Sequence, residues 1–474
     1  VTAPPCPRPE PAPAAGWHGW PWPAIAVALA ALVACIPIWL PRYVATMDGP
    51  QHLLAAHMAL HFDDAAAGFA RHFAANPRHL TPILGDLVLR GLLGLGLSPP
   101  VAQQVFLTLW VGALAGATAW AASWRRRASA LLGGASLLMV PGLVVGMGFF
   151  EFLLSLPLAI AALGVVLRGP ELSRGRLALL AALALASALA HPFTIVALLP
   201  ALAAAAWATG APLWRVGLGL LPALGVGAYA FFAHVGTPPP VPQPTVWAPL
   251  GTSLATLAFD AFDGVAPTGA AGLVGMAAVL AAALLPAWRA GGRTSRVLLG
   301  AALLYAILTV ATPSTAFNWA LLHHRFVPLV WLVALAAVGG VDARPRLAPL
   351  GLAIGALALV TQTVIAARVS RRIDANLREY VAAAGAVPPG ARLLPLDFAP
   401  RGESQHRQIR PYLHAWAYVL MERGGMTPYV FASLPAHAFH FRARPRSPVE
   451  FIDQDYSCAR RGLADATRPC HAYR

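Results

Sequence analysis

VAQQVFLTLWVGALAGATAWAA, residues Val101–Ala122, runs straight into Ser123-Trp124-Arg125-Arg126-Arg127, and this stretch decides the fold of the chain. It carries no charged side chain, and at ~1.5 Å of rise per residue it is long enough for a hydrocarbon core of ~30 Å. A helix meets its own backbone hydrogen-bonding needs, so such a run is at home in lipid. The Arg triplet cannot follow it into hydrocarbon, and by the positive-inside bias it marks the cytoplasmic end.

Reading outward, the same pattern recurs at Ala24–Leu40, Ala128–Leu167, Leu177–Trp214, Val216–Ala233, Ala270–Trp288, Val297–Ala311, Phe326–Val341 and Ala348–Ala367. Of the 474 residues 58% are hydrophobic and only 11% charged, against about 25% charged in soluble domains. The net charge of +15 consists of Arg alone, with no Lys. In an Ala-, Gly- and Pro-rich chain this points to GC-rich, bacterial coding. The Arg sits in short loops where it sets orientation, which excludes nucleic acid as the partner.

Pro82–Leu97 is apolar but broken by Asp86 and Arg90, and reads as a helix lying along the interface. Counting it as a span would place the Arg triplet outside. With the N-terminus inside, the Arg clusters at 125–127, 168–176, 215, 289–296 and 344–346 all fall on the cytoplasmic face. Arg368, Arg371 and Arg372 are the exception, following the last span on the outer side.

The expected fold is therefore an all-α polytopic membrane domain over 23–372, with about eleven transmembrane helices plus interfacial helices and an outer loop at 41–100. A cytoplasmic Pro-rich tail, 1–22, precedes it and lacks the basic n-region of a signal peptide. Residues 373–474 read as a small α+β extracytoplasmic domain. It has a strand at Leu393–Leu396 and a helix at Arg410–Arg423 stopped by Gly424-Gly425. Cys458 and Cys470 close its last segment, either as a disulfide or as two free thiols.

In this topology the outer loop, Glu151, His191, the Pro-rich loop 236–248, His323-His324-Arg325 and the C-terminal domain all face outward, and function is expected there. Met47-Asp48-Gly49-Pro50-Gln51-His52 stands out. Pro50 suits the first turn of a helix, so Asp48 is either its N-cap or a carboxylate held at the membrane surface as a general base. His52 lies beside it, to orient it or to bind phosphate. Glu151 is either a turn residue or a second carboxylate supporting the acceptor or a metal. His191 is either bonded across helices or part of a site. Arg325 is either a snorkelling anchor or an anion clamp. His57 and His61 stand i,i+4, but no third ligand follows at fixed spacing. No metal ligand is assigned, and a divalent metal is left open as a cofactor. The sequence has no P-loop, no G-x-G-x-x-G fingerprint and no H-E-x-x-H, so nucleotide-driven transport and zinc proteolysis get no support.

The order first span, outer loop opening with an Asp, Leu-rich interfacial helix (80–97), Ser98-Pro99-Pro100, second span resembles the GT-C superfamily of lipid-phosphosugar-dependent glycosyltransferases. The bacterial branch with the protein O-mannosyltransferases and aminoarabinose transferases is the most similar. Many relatives carry Asp-Glu where this chain has Asp48-Gly49. The resemblance implies that Asp48 is the catalytic, acceptor-activating base and that Arg325, with His324, holds the donor phosphate. His52, Glu151 and His191 complete the expected substrate-binding set.

The function expected on this basis is transfer of a sugar from a polyprenyl-phosphate-linked donor to a periplasmic acceptor. The expected location is the bacterial inner membrane, with membrane lipids as further partners. The alternative is a non-catalytic polytopic protein, a transporter or assembly scaffold with a partner-binding periplasmic domain. No internal duplication of the transporter kind is legible, although Pro141, Pro157 and Pro222 lie in or near spans. An enzyme that modifies lipids without a sugar donor is a further alternative.

Overall fold

The computed structural model describes residues 22–445, apart from 126, 236–244, 291, 317–318, 340–346, 398, 435–436 and 444. The tail 1–21, Cys458 and Cys470 lie outside the described residues. The chain runs α1 (Trp22–Trp39), α2 (Gly49–Leu60), α3 (Phe69–His72), strand β1 (Phe73–Ala75), α4 (Leu84–Gly94) and α5 (Pro99–Ala122). Then follow α6 (Leu132–Ser136), α7 (Leu143–Met147), α8 (Phe150–Leu167), α9 (Arg174–Ala190), α10 (Pro192–Thr209) and α11 (Leu213–Val235). Next are α12 (Leu250–Phe259), α13 (Gly269–Ala290), α14 (Arg293–Ala311), the small hairpin β2 (Thr315–Ala316) and β3 (Trp319–Ala320), and α15 (Val327–Val338). Last are α16 (Leu347–Ala382), α17 (Trp416–Arg423) and β4 (Phe439–Phe441).

Among the described residues seven helices are long and apolar enough to cross a membrane: α1, α5, α8, α10, α11, α14 and α16. Four shorter apolar stretches, Ser129–Met139, Leu250–Phe259, Gly269–Ala282 and His323–Val338, lie among them. The chain is a multi-pass membrane protein. The first part of Ala128–Leu167, a run of about forty residues and so long enough for two spans, is a succession of short helical pieces ending at Met139 rather than one helix. Gly133 lets this part lie close against α5, because a Cβ there would meet the Ala115 carbonyl. At 36 residues α16 is ~54 Å long at 1.5 Å per residue, well beyond the hydrocarbon core. It therefore runs unbroken through Arg368, Arg371 and Arg372 and clears the membrane. Beyond them Asp374 accepts from the Tyr43 amide at 2.8 Å and from Arg378 Nε at 2.8 Å.

Small residues let the helices approach closely, as association in lipid requires. Gly339 packs on Ala122, and Gly275 on Ala358. At one end of the bundle Arg168 donates to the Gly164 and Trp120 carbonyls and lies over the Trp120 ring. Arg293 lies over Trp207 at the same end. The polar loops gather at the other end.

Among the described residues, those from Ile373 onward build no sheet of their own. Leu393–Leu396, expected as a strand, is irregular, and a bridge joins Arg392 before it to Met426. The C-terminal strand β4 pairs antiparallel with β1 of the first loop, Phe73 opposite Phe441. This segment packs as a lid on loop 41–98, and the reason is its amphipathic content: Trp416, Tyr429 and Phe439 are buried there. The helix expected at Arg410–Arg423 is regular only from Trp416, and it ends at Gly424 with φ +67°.

Candidate active site

Two loops lie side by side at the polar end and create the site. The amide of Met47 donates to the Gly146 carbonyl and that of Asp48 to the Met147 carbonyl, both at 2.9 Å. Glycine is required on both strands of this contact. Gly148 has φ +73°, and a Cβ on it would fall against the amides of Gly49 and Asp48. A Cβ on Gly49 would strike Thr46 and Gln103. The register places Asp48 next to the start of α8, and so next to Glu151.

Asp48 occupies the N-cap position of α2, yet its carboxylate makes no capping hydrogen bond. It is 8% exposed and lies 3.4 Å from His414 Nε2. His414 is buried, which holds its pKa below the ordinary imidazole range even beside Asp48. Gln51 fixes this partner: its Nε2 donates to the Tyr429 carbonyl at 2.8 Å and stands 3.4 Å from His414 Nδ1. Gln103 of α5 braces the loop, donating to Thr46 Oγ1 at 2.8 Å while accepting from the Tyr418 hydroxyl at 3.0 Å.

One turn along α2, His52 meets Glu151 at 2.8 Å, Nδ1 to Oε1. Burial alone would depress the His52 imidazole. The Glu151 carboxylate, with Asp86 and Asp48 behind it, outweighs burial and lifts the pKa to about 9. Its ring stacks on Phe150 at 5.5 Å. Glu151 is buried in the first turn of α8 rather than displayed on a turn. Gly85 of α4 makes room for it, since a Cβ there would touch the Glu151 side chain at 3.4 Å. The next residue, Asp86, completes a group with His52 and Glu151 whose ligand atoms all lie within 4.8 Å of one another. His79 Nε2 lies 3.5 Å from Asp86 Oδ2.

The first turn of α8 also links this cluster to Arg325. Phe150 and Glu151 face His52, whereas Phe149 and Phe152, three residues apart and so on a common face, face the Arg325 guanidinium at 5.2 and 5.5 Å. Phe193 adds a third ring at 6.0 Å. Arg325 Nη1 stands 2.8 Å from His191 Nε2. Arg can only donate, and burial, with Arg325 second, holds His191 well below its ordinary pKa. His191 is therefore neutral and accepts through Nε2. The two residues are bonded across helices and at the same time placed behind the Glu151 turn.

His324 points elsewhere. Its Nδ1 lies 2.6 Å from Asp260 Oδ2, with His406 Nε2 at 3.6 Å from the other oxygen and Gln408 at 3.3 Å from His324 Nε2. Burial would raise the Asp260 pKa, but the hydrogen bonds from His324 and His406 bring it down to about 2. The structure thus brings Asp48, His52 and Glu151 together, places Arg325 and His191 on the far side of one helical turn, and sets His324 in a separate cluster. The His57 and His61 rings lie tilted to one another with centroids 4.3 Å apart, and no carboxylate joins them in a ligand group among the described residues. Sequence reasoning missed Asp86, His79, His414 and Asp260. Asp86 alone left a trace there, as a charge interrupting an apolar helix.

Comparison with known proteins gives the fold its context. No protein-family model matches the sequence, and no curated protein does. ArnT from Cupriavidus metallidurans in the apo state is similar in structure, with a TM-score of 0.56 at 14% identity over 86% of this chain and 85% of ArnT. The crystal structure of that ArnT bound to undecaprenyl phosphate gives 0.54 at 14% identity, over the same shares of both chains. The arabinofuranosyltransferase AftD from Mycobacteria gives only 0.48 at 16% identity, over 80% of this chain and 30% of AftD. Remote in sequence but alike over most of both chains, this protein has the GT-C fold seen in ArnT.

Proposed function

We propose that this protein is an inverting glycosyltransferase of the bacterial inner membrane. It moves a sugar from a polyprenyl-phosphate-linked donor to an acceptor on the periplasmic face, with the N-terminus cytoplasmic. The observation that carries this reading is the placement of Asp48. It sits at a helix start without capping it, and turns its carboxylate into a buried polar cluster walled by the C-terminal segment. A carboxylate so placed can take the proton of an acceptor hydroxyl or amine. The freed pair attacks the anomeric carbon, the carbon–oxygen bond to phosphate breaks, and polyprenyl phosphate leaves with those electrons.

Arg325 suits the departing phosphate, because a guanidinium forks onto phosphate oxygens and the Phe149, Phe152 and Phe193 rings hold it in place. His191 positions Arg325, and His52 with Glu151 fixes the end of α2 beside Asp48. His414 directs the Asp48 carboxylate. The undecaprenyl phosphate bound by the structurally similar ArnT supports a lipid-phosphate donor.

The test is to incubate the full chain in proteoliposomes with a panel of polyprenyl-phosphate sugars and follow release of free polyprenyl phosphate by mass spectrometry. Release with at least one donor, lost in Asp48→Ala, is the expected result. No release from any donor would favour the transporter or scaffold alternative.

A further inference from the structure

We propose that the groove between α2, α4 and α17 is a binding site for one phospholipid with a zwitterionic aminoalkyl-phosphate headgroup, which fastens the C-terminal segment to the membrane surface. The groove lies at the polar end of the bundle, where α1 ends and α5 begins, and has a volume of about 380 Å³, within the range of small-molecule sites. Its walls are the segment after α1, the ends of α2 and α4, the first turn of α5, and α17. The turn before α5 leaves it open, since Gly96 has φ +87° and a Cβ on it would meet nothing within 4 Å.

Two charges of opposite sign line the groove from different elements, Arg42 after α1 and Glu422 on α17. Arg42 lies over the Tyr43 ring at 5.4 Å, and neither charge has an ion-pair partner among the described residues. Burial raises the pKa of the Tyr43 hydroxyl, and Arg42 and Glu422 act on it in opposite senses, so both charges lie near one atom. A guanidinium forks onto phosphate oxygens, and a carboxylate accepts from an ammonium. A purely anionic headgroup would be repelled by Glu422, and a purely cationic one by Arg42. The floor is rigid: the Tyr43 and Tyr418 rings meet edge to face at 4.8 Å, the Tyr43 amide donates to Asp374, and the Tyr418 hydroxyl donates to Gln103.

The level of the groove makes the ligand a lipid. Trp39 and Leu40, just before Arg42, are 48% and 50% exposed, and Leu95, next to Gly96, is 81% exposed. Tryptophan and large apolar side chains uncovered at the end of a span belong at the membrane interface, where lipid covers them. Leu60, Leu93, Leu97 and Met421 give the groove an apolar wall for the first carbons of the lipid chains. Because α2 and α4 belong to loop 41–98 and α17 to the segment lying on it, a headgroup seated here holds both to the leaflet.

The experiment is native mass spectrometry of the full chain, delipidated in detergent and given phosphatidylethanolamine or phosphatidylglycerol. The wild-type chain should retain one phosphatidylethanolamine at roughly tenfold lower concentration than phosphatidylglycerol, which lacks the ammonium. Glu422→Gln should remove that preference by weakening phosphatidylethanolamine alone. Arg42→Ala should weaken both lipids roughly 10-fold, with partial recovery in Arg42→Lys, and Leu97→Trp should weaken both by filling the groove. Arg90→Ala, which removes an exposed charge of α4 outside the groove, should change neither. Absence of a preference in the wild-type chain overturns the proposal, as does a preference that survives in both Glu422→Gln and Arg42→Ala or is lost in Arg90→Ala. Displacement of the lipid by an equal concentration of soluble phosphoethanolamine overturns it too, by assigning the groove to a water-soluble ligand. Tm without added lipid confirms that each variant is folded. No sugar donor enters the measurement, so its result stands apart from that of the transferase test.

Discussion

Substituting Asp48 by Asn and by Ala separates a catalytic carboxylate from a helix cap. If Asp48 were a cap, Asn would replace it with little loss, and Ala would cost about 0.5–2 kcal/mol of stability. The carboxylate makes no capping bond, so neither variant should lose much on that account. Its polar neighbour, His414 Nε2 at 3.4 Å, can be met by the Asn amide oxygen, which limits the change in Asn to about 1 kcal/mol. Activity should behave differently. Loss of a general base removes on the order of 10²–10⁴ in rate, or about 3–5 kcal/mol of transition-state stabilisation. Both variants should lose it alike, because an amide and a methyl are equally unable to take a proton. The assay is the initial rate of polyprenyl phosphate release, with Tm measured on the same samples. Retention of more than a tenth of the rate in Asp48→Asn would refute the reasoning. A rate loss confined to Ala, in step with its Tm, would refute it as well.

Other outcomes follow from the same geometry. Arg325→Lys keeps the charge but cannot hold His191 and fork onto phosphate at once. The donor KM should rise roughly 10–100-fold, from the worth of a charged hydrogen bond, and an unchanged KM would remove Arg325 from the donor site. Asp260 has a folded pKa of about 2 against 3.8 for the free group, a difference worth about 2 kcal/mol. That stability is present above pH ~4 and lost as pH falls through 2, so Asp260→Asn should lower Tm at pH 7 and flatten the acid limb of its pH profile. Gly424→Ala forces a Cβ onto the Ala67 backbone at a φ of +67°. The variant should lose more than about 1 kcal/mol and expose loop 41–98 to protease, and unchanged proteolysis would contradict the lid role of the C-terminal segment.

The membrane class could be read from the chain because lipid imposes one requirement on every span, a long uncharged run closed by Arg. Asp48 was visible for a local reason, since Gly49 and Pro50 mark a turn and a helix start. The partners of Asp48 were not visible. Its link to Glu151 depends on two glycine loops lying in register, and the link to His414 crosses most of the chain. His191 and Arg325 were each noticed alone, but their bond joins residues 134 positions apart, and no periodicity encodes that. Asp86 looked like a flaw in an apolar helix because its reason for being there, the His52–Glu151 pair, comes from two other elements.

The hydrogen-bonded pairing of loop 41–98 with the C-terminal segment has a consequence in time. Gln51 and His414 are 363 residues apart. At ~5–20 residues per second of synthesis, the first loop stands on its side of the membrane for roughly 20–70 s before its partner is made. During that interval Asp48 lacks His414, β1 lacks β4, and Phe62 and Phe73 lack the rings of Phe439 and Phe441 that pack on them. A helper that shields the first loop until the last segment arrives would raise the yield of folded protein without any effect on the finished molecule.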